Sequence, residues 1–444
     1  MSDLTPDARS RALRRFHLQI ALSGVFSSTA LAISPLVADY GMEILGIDRT
    51  IIGTVVSTMY LTGMLQVFSF LFTNRVGDKR RFLVGVGVAQ VVLVAAAFVV
   101  PLWVGGGADW FPRYLTLMGL MLAGNLCLHL TRPIIWSWVG ALVPTAQRGR
   151  YLSTRFLILS VVNLVAPWVG LQIVHRYHTA AGYLTVILAG CAVGLVHYGV
   201  LARTDMPQDT HESTFSFRDL VRAFARPTFR RYMTYVLMVE FPLHAGLSYH
   251  VAFARESGLN AEDMSYYWAA HHAMKVLLIR PIGWLVDRVG TRIAACACSF
   301  VFGTSFVLFA FLREGGLPLA VVAWALIGTA DAFWSVAIFS TLYHTVSDGP
   351  RRTGELAAAQ GLTVLSMAIG PLLAPMYFAA VEGSSWTVAG LTIGPFGLLY
   401  LLASVPILAT MFVARGLKDT HQVRMRELMG RLVRALVYGP FNGR

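Results

Sequence analysis

Apolar residues run along this chain in long blocks, separated by short polar segments. Twelve such blocks can be placed, at about residues 16–40, 48–74, 82–104, 113–142, 152–174, 180–202, 231–254, 262–286, 292–313, 317–345, 354–380 and 388–414. Each is long enough to cross a bilayer as a helix, which takes about 20 residues. One long polar interval, 203–230, divides them six and six. The pattern predicts an all-α membrane protein with twelve transmembrane helices in two pseudo-symmetric six-helix bundles. On this reading residues 1–202 form the first bundle, 203–230 a link, 231–414 the second bundle and 415–444 a tail.

The punctuation between blocks repeats. Phe70–Leu83 reads FLFTNRVGDKRRFL and Gly283–Ala294 reads GWLVDRVGTRIA, so Asn74 falls on Asp287 and Gly77 on Gly290. A second pair follows, PTAQRGRYLSTR from Pro144 and PRRTGELAAAQ from Pro350. A duplicated six-helix unit is an architecture of secondary transporters, with the substrate site between the repeats. In the link, Phe215–Phe229 alternates apolar and basic residues at helical spacing. In the tail, Met425, Leu428, Met429, Leu432, Val433 and Leu436 share one face. Both segments are expected to lie as amphipathic helices on a bilayer with anionic headgroups.

Charge then fixes the expected orientation. Of 36 Lys and Arg residues, 28 fall in the segments on the side of the N-terminus and 5 in the opposite loops. By the positive-inside rule both termini and the link are cytoplasmic, in an inner (plasma) membrane. The formal net charge of +13 therefore reflects topology and not nucleic-acid binding. Only 13% of residues are charged, about half the share in soluble domains. Cys127, Cys191, Cys296 and Cys298 all lie in apolar blocks and imply neither disulfide nor metal. The basic N-terminus leads into an apolar run too long for a signal peptide. No G-x-x-x-x-G-K-[ST] phosphate loop occurs, so ATP hydrolysis is disfavoured; neither a cofactor nor enzymatic chemistry is called for.

Gly283–Arg292, GWLVDRVGTR, resembles the signature loop of the major facilitator superfamily, G-x-L-x-D-R-x-G-x-R. The stretch from Pro144 through Arg148, Gly149 and Arg150 is similar to the start of the fifth helix in that family. The resemblance implies a V-shaped transporter that alternates between inward-open and outward-open forms. It implies a cavity lined chiefly by helices 1, 4, 7 and 10, and a gating loop of Asp287, Arg288, Gly290 and Arg292, with Arg352 as partner. The first repeat departs from the pattern, with Phe70 in place of Gly and Asn74 in place of Asp.

Few charges lie well inside a predicted span. They are Glu240 and Asp331 among the acids, and Arg132, Lys275 and Arg280 among the bases. Each costs roughly 2.5–3.5 kcal/mol at a helix centre on insertion scales, which makes each a functional candidate. Polar neighbours share their helix faces. Asn125, His129, Arg132 and Trp136 align on span 4, and Glu240 and His244 on span 7. His271, His272 and Lys275 cluster on span 8. Trp324, Asp331 and Ser335 align on span 10 beside Trp334, and Ser23, Ser27 and Ser34 on span 1. Structural pairs of Glu240 with Lys275 and of Asp331 with Arg280 are the bland alternative. The histidines read as hydrogen-bonding or proton-relay groups, not as a metal site.

These residues predict a secondary active transporter, proton-coupled through Glu240 and Asp331. The expected substrate site comprises Asn125, His129, Arg132, Trp136, His244, His271, Lys275 and Trp334. Three embedded cations against two anions favour a small polar solute, anionic or zwitterionic; the aromatics also permit a sugar. Partners are then the solute, protons and the bilayer, with the protein a monomer. An uncoupled facilitator is one rival. A non-transporting sensor or assembly factor on the same fold, marked by an occluded or absent cavity, is another.

Overall fold

A computed structural model describes residues 6–65, 76, 78–105, 109–143, 148–205, 217–313, 315–346, 352–388 and 391–417. Asn74, the tail from 418, and the side chains of Trp136, Asp287, Arg288 and Arg352 lie outside the described residues.

Nine described helical stretches are long and apolar enough to span a membrane. The predicted spans at 48–74, 231–254 and 262–286 are not among them. The first is only partly described, and the other two carry Glu240, His244, His271, His272 and Lys275, whose charges and imidazoles lower the hydropathy of those spans. The first half contains α1 (Pro6–Ala30), α2 (Pro35–Glu43), α3 (Thr54–Met64), α4 (Lys79–Val99), α5 (Phe111–Leu142), α6 (Arg148–Arg176) and α7 (Ala180–Ala202). The link contributes α8 (Phe217–Ala225), a helix where the amphipathic pattern predicts one. The second half contains α9 (Pro227–Leu247), α10 (His250–Glu256), α11 (Ala261–Val289), α12 (Thr291–Ala310), α13 (Leu317–Phe333), α14 (Phe339–Thr345), α15 (Arg352–Ala380) and α16 (Pro395–Ala414). A short antiparallel hairpin, β1 (Trp386–Val388) and β2 (Leu391–Ile393), pairs Thr387 with Thr392 between α15 and α16.

Local chemistry explains the breaks. Predicted span 1 is not one helix: α1 ends at Ala30, and Ser34 caps α2 by accepting from the Leu36 amide, with Pro35 at the first helical position. Asn260 and Asp263 form a reciprocal capping box at the start of α11, with distances of 3.0 and 3.1 Å. Gly290 separates α11 from α12 at φ 93°, a conformation that costs glycine little. Between α13 and α14 the helix widens into a π turn, Trp334–Ile338.

Packing partners repeat between the halves. In the first, α1 packs on α6 and α7, α4 on α5 and α7, and α3 on α5. In the second, α9 packs on α15 and α16, α12 on α13 and α16, and α11 on α13. The halves meet where α6 runs along α11 and α3 along α15. One end of the molecule carries the start of α1 and the end of α16; it is called here the near end. The other is the far end.

Hydrogen bonds within each half tie the near end together. The Trp138 indole donates to the Asp205 carbonyl at 3.0 Å. Arg292 of the repeated loop donates to the Leu417 carbonyl through Nε at 3.2 Å and Nη2 at 3.0 Å. At the far end, polar contacts cross between the halves. Arg255 holds Asp39 in a two-pronged pair, at 2.7 and 2.9 Å. The Tyr183 hydroxyl adds a third donor to Asp39 at 2.6 Å, and Glu43 stands 3.6 Å from Arg255. Asp39 is fully buried. Gln172 donates to Ser265 at 2.8 Å, and His175 meets Glu262 at 3.0 Å.

Candidate functional site

Between the halves lies a cavity of about 370 Å³. The first half lines it with Ser27 and Ser28 from the last turn of α1, Ser34 at the cap of α2, Tyr60 of α3 and Asn163 of α6. The second half lines it with Glu240 and His244 of α9, His271, His272 and Lys275 of α11, and Asp331 and the neighbouring Trp334. Trp268, Trp324 and His250 complete one end of it.

Two ionic groups organise the second-half wall. Lys275 Nζ donates to Asp331 Oδ2 at 2.6 Å, and His271 Nε2 approaches the same oxygen at 3.5 Å. Close approach of two helices makes this possible. A Cβ placed on Gly328 of α13 would come to 2.0 Å from the His271 carbonyl, so only glycine lets α13 lie this near α11. The second group is local to α9. His244 Nδ1 lies 3.0 Å from the Glu240 carbonyl and 3.1 Å from Glu240 Oε2. Its ring meets Tyr60 edge-on at 4.9 Å across the cavity. Pro242 lies within α9 between the two.

The geometry replaces the alternative pairing considered from sequence. Lys275 pairs with Asp331 and not with Glu240, because α11 packs on α13. Glu240 is matched by His244 one turn on, and Arg280 is exposed. Six of the expected site residues are brought together: Glu240, His244, His271, Lys275, Asp331 and Trp334.

The polar stripe on α5 goes elsewhere. Asn125 donates to Thr58 Oγ1 at 3.0 Å, and His129 Nε2 lies 2.8 Å from the Met59 carbonyl. Both are buried against α3. A Cβ on Gly63 would lie 3.2 Å from the His129 ring, so this contact is also tight. Among the described residues, Asn125, His129 and Arg132 do not line this cavity. Sequence reasoning missed Tyr60, Asn163, His250 and Trp268. The last two lie in segments where an imidazole or indole reads as an ordinary membrane-interface residue.

The sequence profile of the Major Facilitator Superfamily matches residues 20–274, more than half of the chain. The chain belongs to that superfamily. A comparison with curated proteins returns no match. Among solved structures, this superfamily member is similar to a D-xylose-proton symporter, with a TM-score of 0.68 and 15% identity over 93% of this chain and 99% of that one. It is also similar to the nucleoside transporter NupG, with a TM-score of 0.62 and 15% identity over 92% and 98%. A bacterial homolog of the human lysosomal transporter Spinster, solved in an inward-facing and unoccupied conformation, gives a TM-score of 0.64 at 14% identity, covering 93% and 96%. At these identities the likeness speaks for the fold, that of a multi-pass membrane transporter.

Proposed function

We propose that this protein is a proton-coupled secondary transporter that moves a small polar organic solute by alternating access. Twelve spans in two six-helix bundles, 1–202 and 231–414, form its body, with both termini on the cytoplasmic side of the inner membrane and the protein acting as a monomer. The repeated packing partners of the two halves support the bundle division, and the basic near end supports the orientation.

The observation that carries this reading is the Lys275–Asp331–His271 cluster facing a cavity between the halves. A carboxylate in a span is costly unless compensated or able to take up a proton. When Asp331 takes a proton, its attraction for Lys275 ends and the ammonium becomes free to seek another partner. Glu240 and His244 form a second such pair about the same cavity. The solute reads the difference between these states, so its movement is tied to that of the proton.

The far end is the outer gate in this reading. Asp39, Arg255 and Tyr183 seal it, together with His175–Glu262. The conformation is then closed to the outside. Opening outward breaks the Asp39–Arg255 pair, because its members belong to different halves. The gating role expected of Asp287, Arg288, Gly290, Arg292 and Arg352 belongs to the opposite, cytoplasmic side.

Purified protein in proteoliposomes tests the proposal. A pH gradient should drive solute accumulation, and Asp331→Asn should abolish accumulation while sparing solute exchange, which requires no net proton release. Normal accumulation by both Asp331→Asn and Glu240→Gln would refute proton coupling. Equilibration without any effect of a pH gradient would identify an uncoupled facilitator.

A further inference from the structure

Two contacts that cross between the halves at the far end differ in what pH can do to them. Asp39–Arg255 joins a carboxylate to a guanidinium, which keeps its charge throughout the physiological range. His175–Glu262 joins a carboxylate to an imidazole, with Nε2 and Oε2 at 3.0 Å. Histidine changes its charge between about pH 5 and 8. Asp39 is fully buried, whereas His175 and Glu262 are 34% and 35% exposed. A proton from the far side can therefore reach His175 while the halves stay closed.

Placement favours both charges. His175 stands in the last turn of α6 and Glu262 in the first turn of α11. A helix ends in partial negative charge and begins in partial positive charge, so each end suits the group it holds. The Tyr266 hydroxyl donates to Glu262 Oε1 at 2.9 Å, which leaves Oε2 to His175. The other charged groups around the ring are already engaged or point to solvent. On α11, Asp263 accepts from the Asn260 amide at 3.0 Å. On α2, Asp39 and Glu43 both stand beside Arg255 of α10. On α7, Tyr183 donates to Asp39. The far end of α1 reads GVFSSTA and brings no titratable group. Arg176 is exposed. The exposed His178 meets the His175 ring edge-on at 5.3 Å, and a charge there opposes one on His175. Glu262, at hydrogen-bond distance, outweighs that solvent-screened neighbour. His175 Nδ1 has no hydrogen-bond partner in the protein whether or not it carries a proton, so the two forms differ at Nε2.

We propose that His175–Glu262 is a pH-sensitive latch, through which acidity on the far side holds that end shut. The proposal rests on reading the far end as the outer gate. With the halves closed, the imidazolium of His175 has a carboxylate partner; with the halves parted, it has only water. A proton on His175 therefore favours the closed form. This contribution is full at acidic pH and fades as pH rises through the histidine range, leaving a neutral hydrogen bond from Nε2 to Glu262. The latch is separate from coupling. Its proton is taken up and released on one side and never crosses. The sign differs as well: a proton on Asp331 ends an ion pair, whereas a proton on His175 makes one. A partly exposed pair is screened by water, so the closed-to-open ratio changes by about two- to fivefold.

The test is electron–electron double resonance on the purified full-length protein, with no solute added. Spin labels are placed at Thr50→Cys and Ser384→Cys, exposed on far-end loops of opposite halves, in a background without the native cysteines. From about pH 7.5 to about pH 5.5, within the histidine range, the closed-to-open ratio should rise about two- to fivefold. His175→Gln and Glu262→Gln should each remove the rise. His175→Arg carries a permanent charge and should hold the acidic ratio at both pH values. Asp331→Asn combined with Glu240→Gln should keep the rise, because the cavity acids take no part in it. A ratio that ignores pH, a rise that survives both Gln variants at the latch, or a rise lost with the cavity acids would each overturn the inference. Arg255→Ala separates the latch from the gate. If the distance between the labels fails to lengthen in that variant, the gate reading falls and the latch with it. If it lengthens there while the wild type ignores pH, only the latch falls.

Discussion

The two walls of the cavity come from halves with matching helix packing, yet they hold different chemistry. The first half offers hydroxyls and an amide, from Ser27, Ser34, Tyr60 and Asn163. The second half offers both carboxylates, the lysine and four imidazoles. Repeated packing constrains the small and apolar residues at helix contacts; it leaves cavity-facing positions free to diverge. Charges in a membrane are tolerable when they compensate one another, and gathering them on one half keeps each beside its partner. A pair within one half survives a rocking of the two bodies. A pair that spans the halves, such as Asp39–Arg255, does not. The first kind must be altered by a proton or a ligand; the second is altered by the motion itself.

The sharpest way to break this comparison is to cut the spanning pair. Arg255→Ala strands a fully buried Asp39, and loss of one partner from a buried pair costs about 3–5 kcal/mol. The far end should open, and a cysteine placed beside Asp39 should become reactive from outside. Unchanged reactivity would show that the pair is not a gate. Next is helix spacing. Gly328→Ala drives a methyl into the His271 carbonyl and should destabilise by about 1–3 kcal/mol or more. Gly24→Ala in the first half meets the Val162 and Leu159 side chains at 3.0–3.1 Å, which can shift, and should cost under about 1 kcal/mol. Thermal inactivation of the two variants compares them; equal losses would mean that the charged wall needs no tighter spacing than the neutral one. Smaller still is Asn163→Ala, where one neutral side chain is removed from the first-half wall. Solute affinity should fall about threefold, within the range for a single neutral hydrogen bond. The smallest expected change is Arg132→Ala, with affinity within about twofold of wild type. A tenfold loss would bring α5 back into the binding wall.

Sequence made nine of the spans and the charged wall legible among the described residues, the wall because a charge in an apolar block is conspicuous. Glu240, Lys275 and Asp331 announced themselves in this way, and His244 and His271 followed by helical spacing. Periodicity gave the polar face of α5 correctly but not its neighbour. Asn125 and His129 are spent on Thr58 and the Met59 carbonyl, a contact that depends on α3 passing close by. Pairing was not legible for the same reason, since the choice between Glu240 and Asp331 for Lys275 depends on which helices touch. Asp39 and Arg255 sit at block edges, where a charge reads as solvated; only the tertiary structure buries the acid. The break at Leu31–Ser34 lay in an unbroken apolar run. Ser34–Pro35 is a cap signal that the run concealed.

The π turn at Trp334–Ile338 has a mechanical consequence. It holds one residue more than an α-helical turn and starts three residues after Asp331. A wide turn of this kind can migrate along a helix, exchanging hydrogen bonds one at a time, so the rod never breaks. Each step turns the intervening side chain by about 100°, the angle per residue of an α-helix. The spare residue would then act as a swivel. Trp334, or Asp331 itself, can be turned towards or away from the cavity while α13 and α14 keep their ends fixed in the bilayer. Deleting one residue from the turn would lock the swivel and leave the helix intact.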